Sequence, residues 1–358
     1  MAAGTITYEE HRVAYEGGEK EIYYLAAGPA QGPLIIFVHG WPGTGITWKP
    51  QIDAFAGLGF RVVAPDMPGY GNSTARKVVE DYSQEAIVGG LLALLADTGR
   101  EAAIWVGHDW GSASVSSLAT QRPDVVKALV NMSVPFHTIE RGWAGFLPNV
   151  NRELYPKDEY EYGQWDYMKN WEENFENAVA WFEQDIAGIL KATQQKTKAP
   201  ESRFGTFATV RKLGWFGGAP RPPPVEATGP TLLPEDAFNK FVAGMQKSGF
   251  WGGSAYYLSH ERNAKYNTKD KLRGGKLDIP VLFFHGTWDT ICDTKTSRFP
   301  EPMRNVCTNL TEVTIEAGHF LACEKPQEVN AALLRFIAQE VPTEWPGFWD
   351  SGYTKNRT

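Results

Sequence analysis

Residues 107–111 read Gly-His-Asp-Trp-Gly, a Gly-x-?-x-Gly frame with Asp109 at its centre. Such a frame usually presents a serine nucleophile at the turn from a strand into a helix. A carboxylate in that place is ionised at neutral pH and can attack carbon without a base to activate it. The product of that attack is an ester. Releasing it takes a water molecule, a base and donors for the oxyanion that develops. Two further residues have the types for this work: Asp289, directly after "HGTW", and His319, in "AGHF".

These residues need elements to hold them. "EIYYLAAG", "LIIFVHG", "RVVAPD" and "AIWVGHD" read as strands, as does "VVKALVNMSVP". Ser83 to Leu95 has helical spacing with Ser83 as N-cap, and Gly111 to Gln121 forms a second helix that stops before Pro123. Continuous apolar strands separated by helices predict a parallel sheet covered on both faces. From about Phe136 to Asp278 the alternation gives way to a segment rich in aromatics, Asn, Gly and Pro. It has helical stretches such as Trp171 to Leu190, and a stiff "RPPPVEATGP" connection at 221–230. The alternation resumes at "IPVLFFHGTWD" (279–289) and "LTEVTIEAGH" (310–319), and a last helix runs from Pro326 to about Gln339. The expected fold class is α/β, a mostly parallel doubly wound sheet with an inserted helical cap. Residues 1–135 and 279–358 would form the core, and 136–278 the cap. Ligands of such sheets bind beyond the carboxyl ends of the strands. His39, Asp66, Asp109, Asp289 and His319 all fall there.

Composition narrows the function. The 358 residues carry a net charge of −7, which gives no basic footprint for nucleic acid. No apolar run is long enough to span a bilayer, and the N-terminus has no signal-peptide pattern. Cys292, Cys307 and Cys323 are too few for a disulfide framework, so the expectation is a reducing, cytoplasmic setting. No Cys-x-x-Cys or His-Glu-x-x-His pattern suggests a metal, and no cofactor is called for. Aromatics make up 13% of the chain, with 13 Trp, which favours an aromatic-lined pocket for a small hydrophobic molecule.

The order Asp109, Asp289, His319 is the triad order of the α/β-hydrolases. Together with "HGWPG" (39–43) and "RVVAPDMPGYGNS", the chain resembles that superfamily, and within it the soluble epoxide hydrolases. The match covers about residues 20–135 and 279–340. The resemblance implies an oxyanion hole from the backbone N–H groups of Trp41 and Trp110, and a cis Trp41–Pro42 bond. "QWDYM" (164–168) and "SGFWGGSAYYLSHERN" (248–263) resemble the two cap segments that carry paired tyrosines in that family. The matching positions are Tyr167 and Tyr257, with Tyr256 adjacent to the second. His39, Pro42, Trp110 and Trp165 would wall the substrate pocket. The implied activity opens a hydrophobic epoxide with water to a vicinal diol, and oligomeric state is left open.

Plainer roles stand beside these. Asp109 could be a helix N-cap, and His319 a satisfied buried histidine. Asp293 competes with Asp289, which is favoured because it follows "HGTW". His108 beside Asp109 could belong to a metal pair, though successive strand residues point to opposite faces. His39 could simply brace its loop, and most cap tyrosines must be packing residues. The rival function is haloalkane dehalogenase, with the same Asp-Trp pair and His base but N–H donors for a halide. A non-catalytic ligand-binding homologue is the other alternative, which the intact Asp109, Asp289 and His319 disfavour. A serine esterase is disfavoured because the turn has no Ser or Cys at its centre.

Overall fold

The computed structural model describes residues 6–227, 229–269 and 271–347. Thr228 in the Pro-rich connection, Asp270 in the expected cap and both ends of the expected core lie outside them. Among the described residues eight strands form one sheet: β1 (Glu9–Tyr15), β2 (Lys20–Ala27), β3 (Leu34–Val38), β4 (Arg61–Pro65), β5 (Ala103–His108), β6 (Val126–Met132), β7 (Leu277–Gly286) and β8 (Cys307–Ile315). Their order across the sheet is β1-β2-β4-β3-β5-β6-β7-β8. From β4 to β8 the pairing is parallel, while β2 runs antiparallel to both β1 and β4. This is the mostly parallel sheet that the sequence predicts, with an antiparallel strand near one edge.

The apolar strands divide their side chains between two cores, as the two-residue repeat of a strand requires. Ile36, Val38, Val63, Trp105 and Leu129 face one side, against α2 (Gln84–Asp97), α3 (Trp110–Gln121) and the helical insert. Ile35, Phe37, Val62, Ile104 and Val130 face the other, against α1 (Lys49–Gly57) and the helix Pro326–Glu340. Burial on both faces is why these strands read as continuous apolar runs. Ser83 caps α2 as the sequence implies, accepting the Ala86 N–H.

Two expectations are corrected. β7 begins at Leu277, not Ile279, because Leu277 pairs with Cys307 ahead of a register shift at Pro280. The stretch Trp171 to Leu190 is not one helix. Asp166–Glu173, Phe175–Phe182 and Ile186–Thr193 are separate helices, broken at Asn174 and Asp185. Asp185 accepts the Gly188 N–H and starts the third helix, a cap that competes with helix continuation. All of these short helices lie between β6 and β7 in the chain.

Candidate active site

Asp109 sits in the turn from β5 into α3 at φ 53°, ψ −122°, a conformation that costs a side-chain-bearing residue of order 1–3 kcal/mol. Its flanking glycines explain how the turn fits. A Cβ on Gly111 would lie 2.0 Å from the Val38 carbonyl oxygen, and one on Gly107 would lie 2.6 Å from the Gly111 backbone. Only bare backbone allows β5, α3 and the end of β3 to approach this closely. The turn is tied down by the Asp109 N–H, which donates to the Met132 carbonyl.

The loop after β3 meets Asp109 from the other side. The Trp41 N–H donates to Asp109 Oδ1 at 2.7 Å, and the Trp41–Pro42 bond is cis. Trp110 opens α3, so its N–H is among the first of the helix, which have no partner within it. Asp66 braces the loop by accepting the Gly45 and Asn72 N–H groups, and burial raises its pKa to about 6. His39 Nε2 accepts the Met67 N–H, which leaves the proton on Nδ1 to donate to the Gly40 carbonyl. Burial pulls its pKa down to about 4, so the ring is neutral and serves the loop. His39 is therefore a brace and not a wall of the cavity at Asp109.

His319 follows β8 and joins the two carboxylates. Its Nδ1 lies 2.9 Å from Asp289 Oδ2, and its Nε2 lies 3.6 Å from Asp109 Oδ2. Burial opposes charge on His319, but Asp289 and Asp109 outweigh it and hold the imidazole well above its ordinary value. Burial likewise opposes charge on Asp109 and Asp289, but His319 outweighs it and both carboxyls are lowered. Asp289 Oδ1 accepts the Ile291 and Cys292 N–H groups, each at 2.9 Å. Asp293 is occupied elsewhere, with Arg203 at 2.5 Å and the N–H groups of Lys295 and Thr296. His108 is no metal partner of Asp109. Its Nε2 donates to the His319 carbonyl at 2.7 Å, and burial pulls its pKa down to about 4.

Tyr167, from the helix Asp166–Glu173, and Tyr257, from the short turn Ala255–Leu258, face the same cavity as Asp109 and His319. Their rings are 5.9 Å apart. Burial pushes both phenols well above their ordinary value, so both hold their protons. Tyr256 is separated from them by its hydrogen bond to the Pro68 carbonyl at 2.9 Å. Trp41 and Pro42 also line the cavity. Trp41 Nε1 donates to Ser254 Oγ, linking the loop to the insert.

Trp165 is corrected. It is fully buried against Phe146 and Phe299, away from the cavity. The Trp110 ring packs edge-on against Tyr257 behind the cavity wall. The apolar wall comes instead from Phe207, Trp215, Ile291 and Phe320, with Thr193 beside them. Of these, only Phe320 had a local signal, its place next to His319 in "GHF". Among the described residues one donor set could hold a metal: Asp289, Cys292 and His319 offer an oxygen, a sulfur and a nitrogen within 4.8 Å of one another.

Among the described residues no helix is long and apolar enough to cross a membrane. The alpha/beta hydrolase fold family matches residues 33–199. Epoxide hydrolase A of Mycobacterium tuberculosis is 30% identical over 320 residues, which are 87% of this chain and 92% of that protein. Bifunctional epoxide hydrolase 2 of Sus scrofa is 31% identical over 308 residues, 86% of this chain and 51% of that longer protein. The crystal structure of epoxide hydrolase A from Mycobacterium thermoresistibile superposes with a TM-score of 0.73 at 29% identity, covering 93% of this chain and 99% of that one.

Proposed function

The chain belongs to the epoxide hydrolases of the α/β-hydrolase fold, and from that premise we propose that it converts hydrophobic epoxides to vicinal diols through an ester on Asp109. The observation that carries this reading is the cavity in which Asp109 and His319 face Tyr167 and Tyr257. An epoxide has no carbonyl to form a tetrahedral intermediate. It needs a nucleophile at carbon and an acid at oxygen. Asp109, held ionised, attacks a ring carbon and the C–O bond breaks. A phenol O–H of Tyr167 or Tyr257 gives its proton to the departing oxygen, and the other donates a hydrogen bond to it.

The ester carries no charge on Asp109, which removes one of the two supports for a protonated His319. Once the ester has formed, a proton passes from His319 to the tyrosinate left by the first step, and the neutral imidazole becomes the base for the second. It takes a proton from water as the water oxygen attacks the acyl carbon of Asp109. Asp289 holds the tautomer and supports the imidazolium. The N–H groups of Trp41 and Trp110 hold the oxyanion. The bond to the diol oxygen then breaks, His319 gives that oxygen its proton, and the carboxylic acid left on Asp109 passes its own proton to His319, which restores the starting state. The Trp41 N–H already lies on Asp109 Oδ1, so this donor is in place before the charge develops.

In this reading residues 1–135 and 279–358 supply the nucleophile, acid and base, and the cap at 136–278 supplies the tyrosines and the apolar wall. Three unbridged cysteines favour a reducing, cytoplasmic setting. The test is a paired assay of the purified protein with styrene oxide and with a chloroalkane. Diol without halide release is the expected result. Halide release without diol would replace this reading with the dehalogenase.

A further inference from the structure

We propose that Asp289, Cys292 and His319 form an inhibitory site for a thiophilic divalent cation, of which zinc and cadmium are the test cases. All three side chains are buried, and their ligand atoms lie within 4.8 Å of one another. The turn that follows β7 builds the arrangement. The Cys292 N–H donates to Asp289 Oδ1, which brings the thiol back beside the carboxylate, and His319 reaches both from the loop after the neighbouring parallel strand β8. Thiolate, imidazole and carboxylate together suit zinc and softer ions, whereas magnesium and calcium require oxygen ligands. Metal–ligand distances of about 2.0–2.3 Å place tetrahedral ligand atoms about 3.3–3.7 Å apart. The separations here must therefore close by at most about 1 Å, a small rotation of the Cys292 side chain. His319 and Ile291 line the cavity, so water can reach a fourth position. The Ile291 and Cys292 N–H groups on Oδ1 orient the carboxylate from behind.

The cation would take the place between His319 Nδ1 and Asp289 Oδ2 now occupied by a proton. The displaced Nδ1 proton and the thiol proton both pass to solvent, and Asp289 and the Cys292 thiolate balance the two positive charges. The imidazole keeps a single proton, which must sit on Nε2, facing Asp109. A ring protonated there cannot take a proton from water. Asp109, Tyr167 and Tyr257 contribute no ligand, so ester formation proceeds and ester hydrolysis stops. This arrest pattern rests on the two-step reading above, but metal binding does not.

The experiment titrates the whole protein with cadmium and follows the ultraviolet thiolate-to-metal band, diol formation, and the mass of the intact chain after exposure to an epoxide. Wild type is compared with Cys292→Ser and Cys292→Ala, either of which suffices if the other folds poorly. The expected results are a band for one cadmium, loss of diol formation reversed by a chelator, and accumulation of one substrate mass per chain. Loss of a direct ligand should weaken inhibition by at least about 100-fold, the upper end of what even an outer-shell partner costs. Equal binding and equal inhibition in the Cys292 variants would overturn the site. A cadmium band with undiminished turnover would overturn the part played by His319 in it. Inhibition that depends on Cys292 but leaves the chain unmodified would uphold the site and overturn the two-step reading.

Discussion

Replacing Asp289 by asparagine isolates one atom of the proposed machinery. Oδ1 of Asp289 is held by two backbone N–H groups at 2.9 Å, so only an acceptor fits there. The amide oxygen of Asp289→Asn must take that place, which turns its NH₂ toward His319 Nδ1. Nδ1 then has to accept, and the imidazole proton moves to Nε2. The ring keeps its position but loses its basic nitrogen toward Asp109. The same tautomer error in a serine-protease triad costs about 10⁴-fold, or on the order of 5 kcal/mol of barrier. We expect that loss in ester hydrolysis alone. Ester formation uses neither group as acid or base and should stay within about tenfold. Rapid-quench kinetics with mass analysis of the intact chain separates the steps. The variant should show a stoichiometric burst of ester followed by slow release. Asp293→Asn is the control, because Asp293 serves Arg203 and its own turn. Equal slowing of both steps in Asp289→Asn, or the same block in Asp293→Asn, would refute the reasoning.

Other outcomes follow from the same geometry. Tyr167→Phe and Tyr257→Phe should each slow ester formation by about 10–100-fold, leaving hydrolysis of preformed ester unchanged, and the double variant should nearly abolish it. Single-turnover rates check this, and an unaffected double variant would remove the tyrosines from the reaction. Glu140, fully buried just after β6, has its pKa raised by burial from 4.5 to about 7. The unfolded chain therefore loses this proton first as pH rises, and stability falls between about pH 4.5 and 7. Glu140→Gln should flatten that fall, with the stability difference from wild type changing by on the order of 3 kcal/mol between about pH 4 and pH 8. Parallel denaturation curves across that range would show that Glu140 does not carry the effect.

What could be read in the sequence is what local chemistry encodes. β3 and β5 are buried on both faces and so appear as apolar runs, and β6 is interrupted only by the exposed Lys127 and by Asn131. The turn at Asp109 is legible because two glycines are needed where a Cβ would strike backbone. β1 is the opposite case. Its "EEHRVAY" is an edge strand, largely exposed, whose only apolar residues are Val13 to Tyr15 at its end. The break at Asn174 was hidden because Trp171 to Leu190 keeps a helical spacing of apolar residues across it. The choice between Asp289 and Asp293 depends on which carboxylate meets a histidine 30 residues later in the chain. Trp165 is not legible because a tryptophan beside a site motif looks the same whether it faces a cavity or, as here, a core. Phe207 and Trp215 come from single-turn helices with no periodicity, and only the closed fold brings them opposite Asp109.

The central claim is that Asp109 itself forms the bond to the substrate. A single turnover in heavy-oxygen water, with enzyme in excess over epoxide, tests it directly. If Asp109 attacks, the first diol carries an ordinary oxygen taken from the carboxylate, and mass analysis of the 107–111 peptide finds the heavy oxygen on Asp109. If water attacks the epoxide directly, the first diol carries the heavy oxygen and Asp109 remains unlabelled, and the account is wrong.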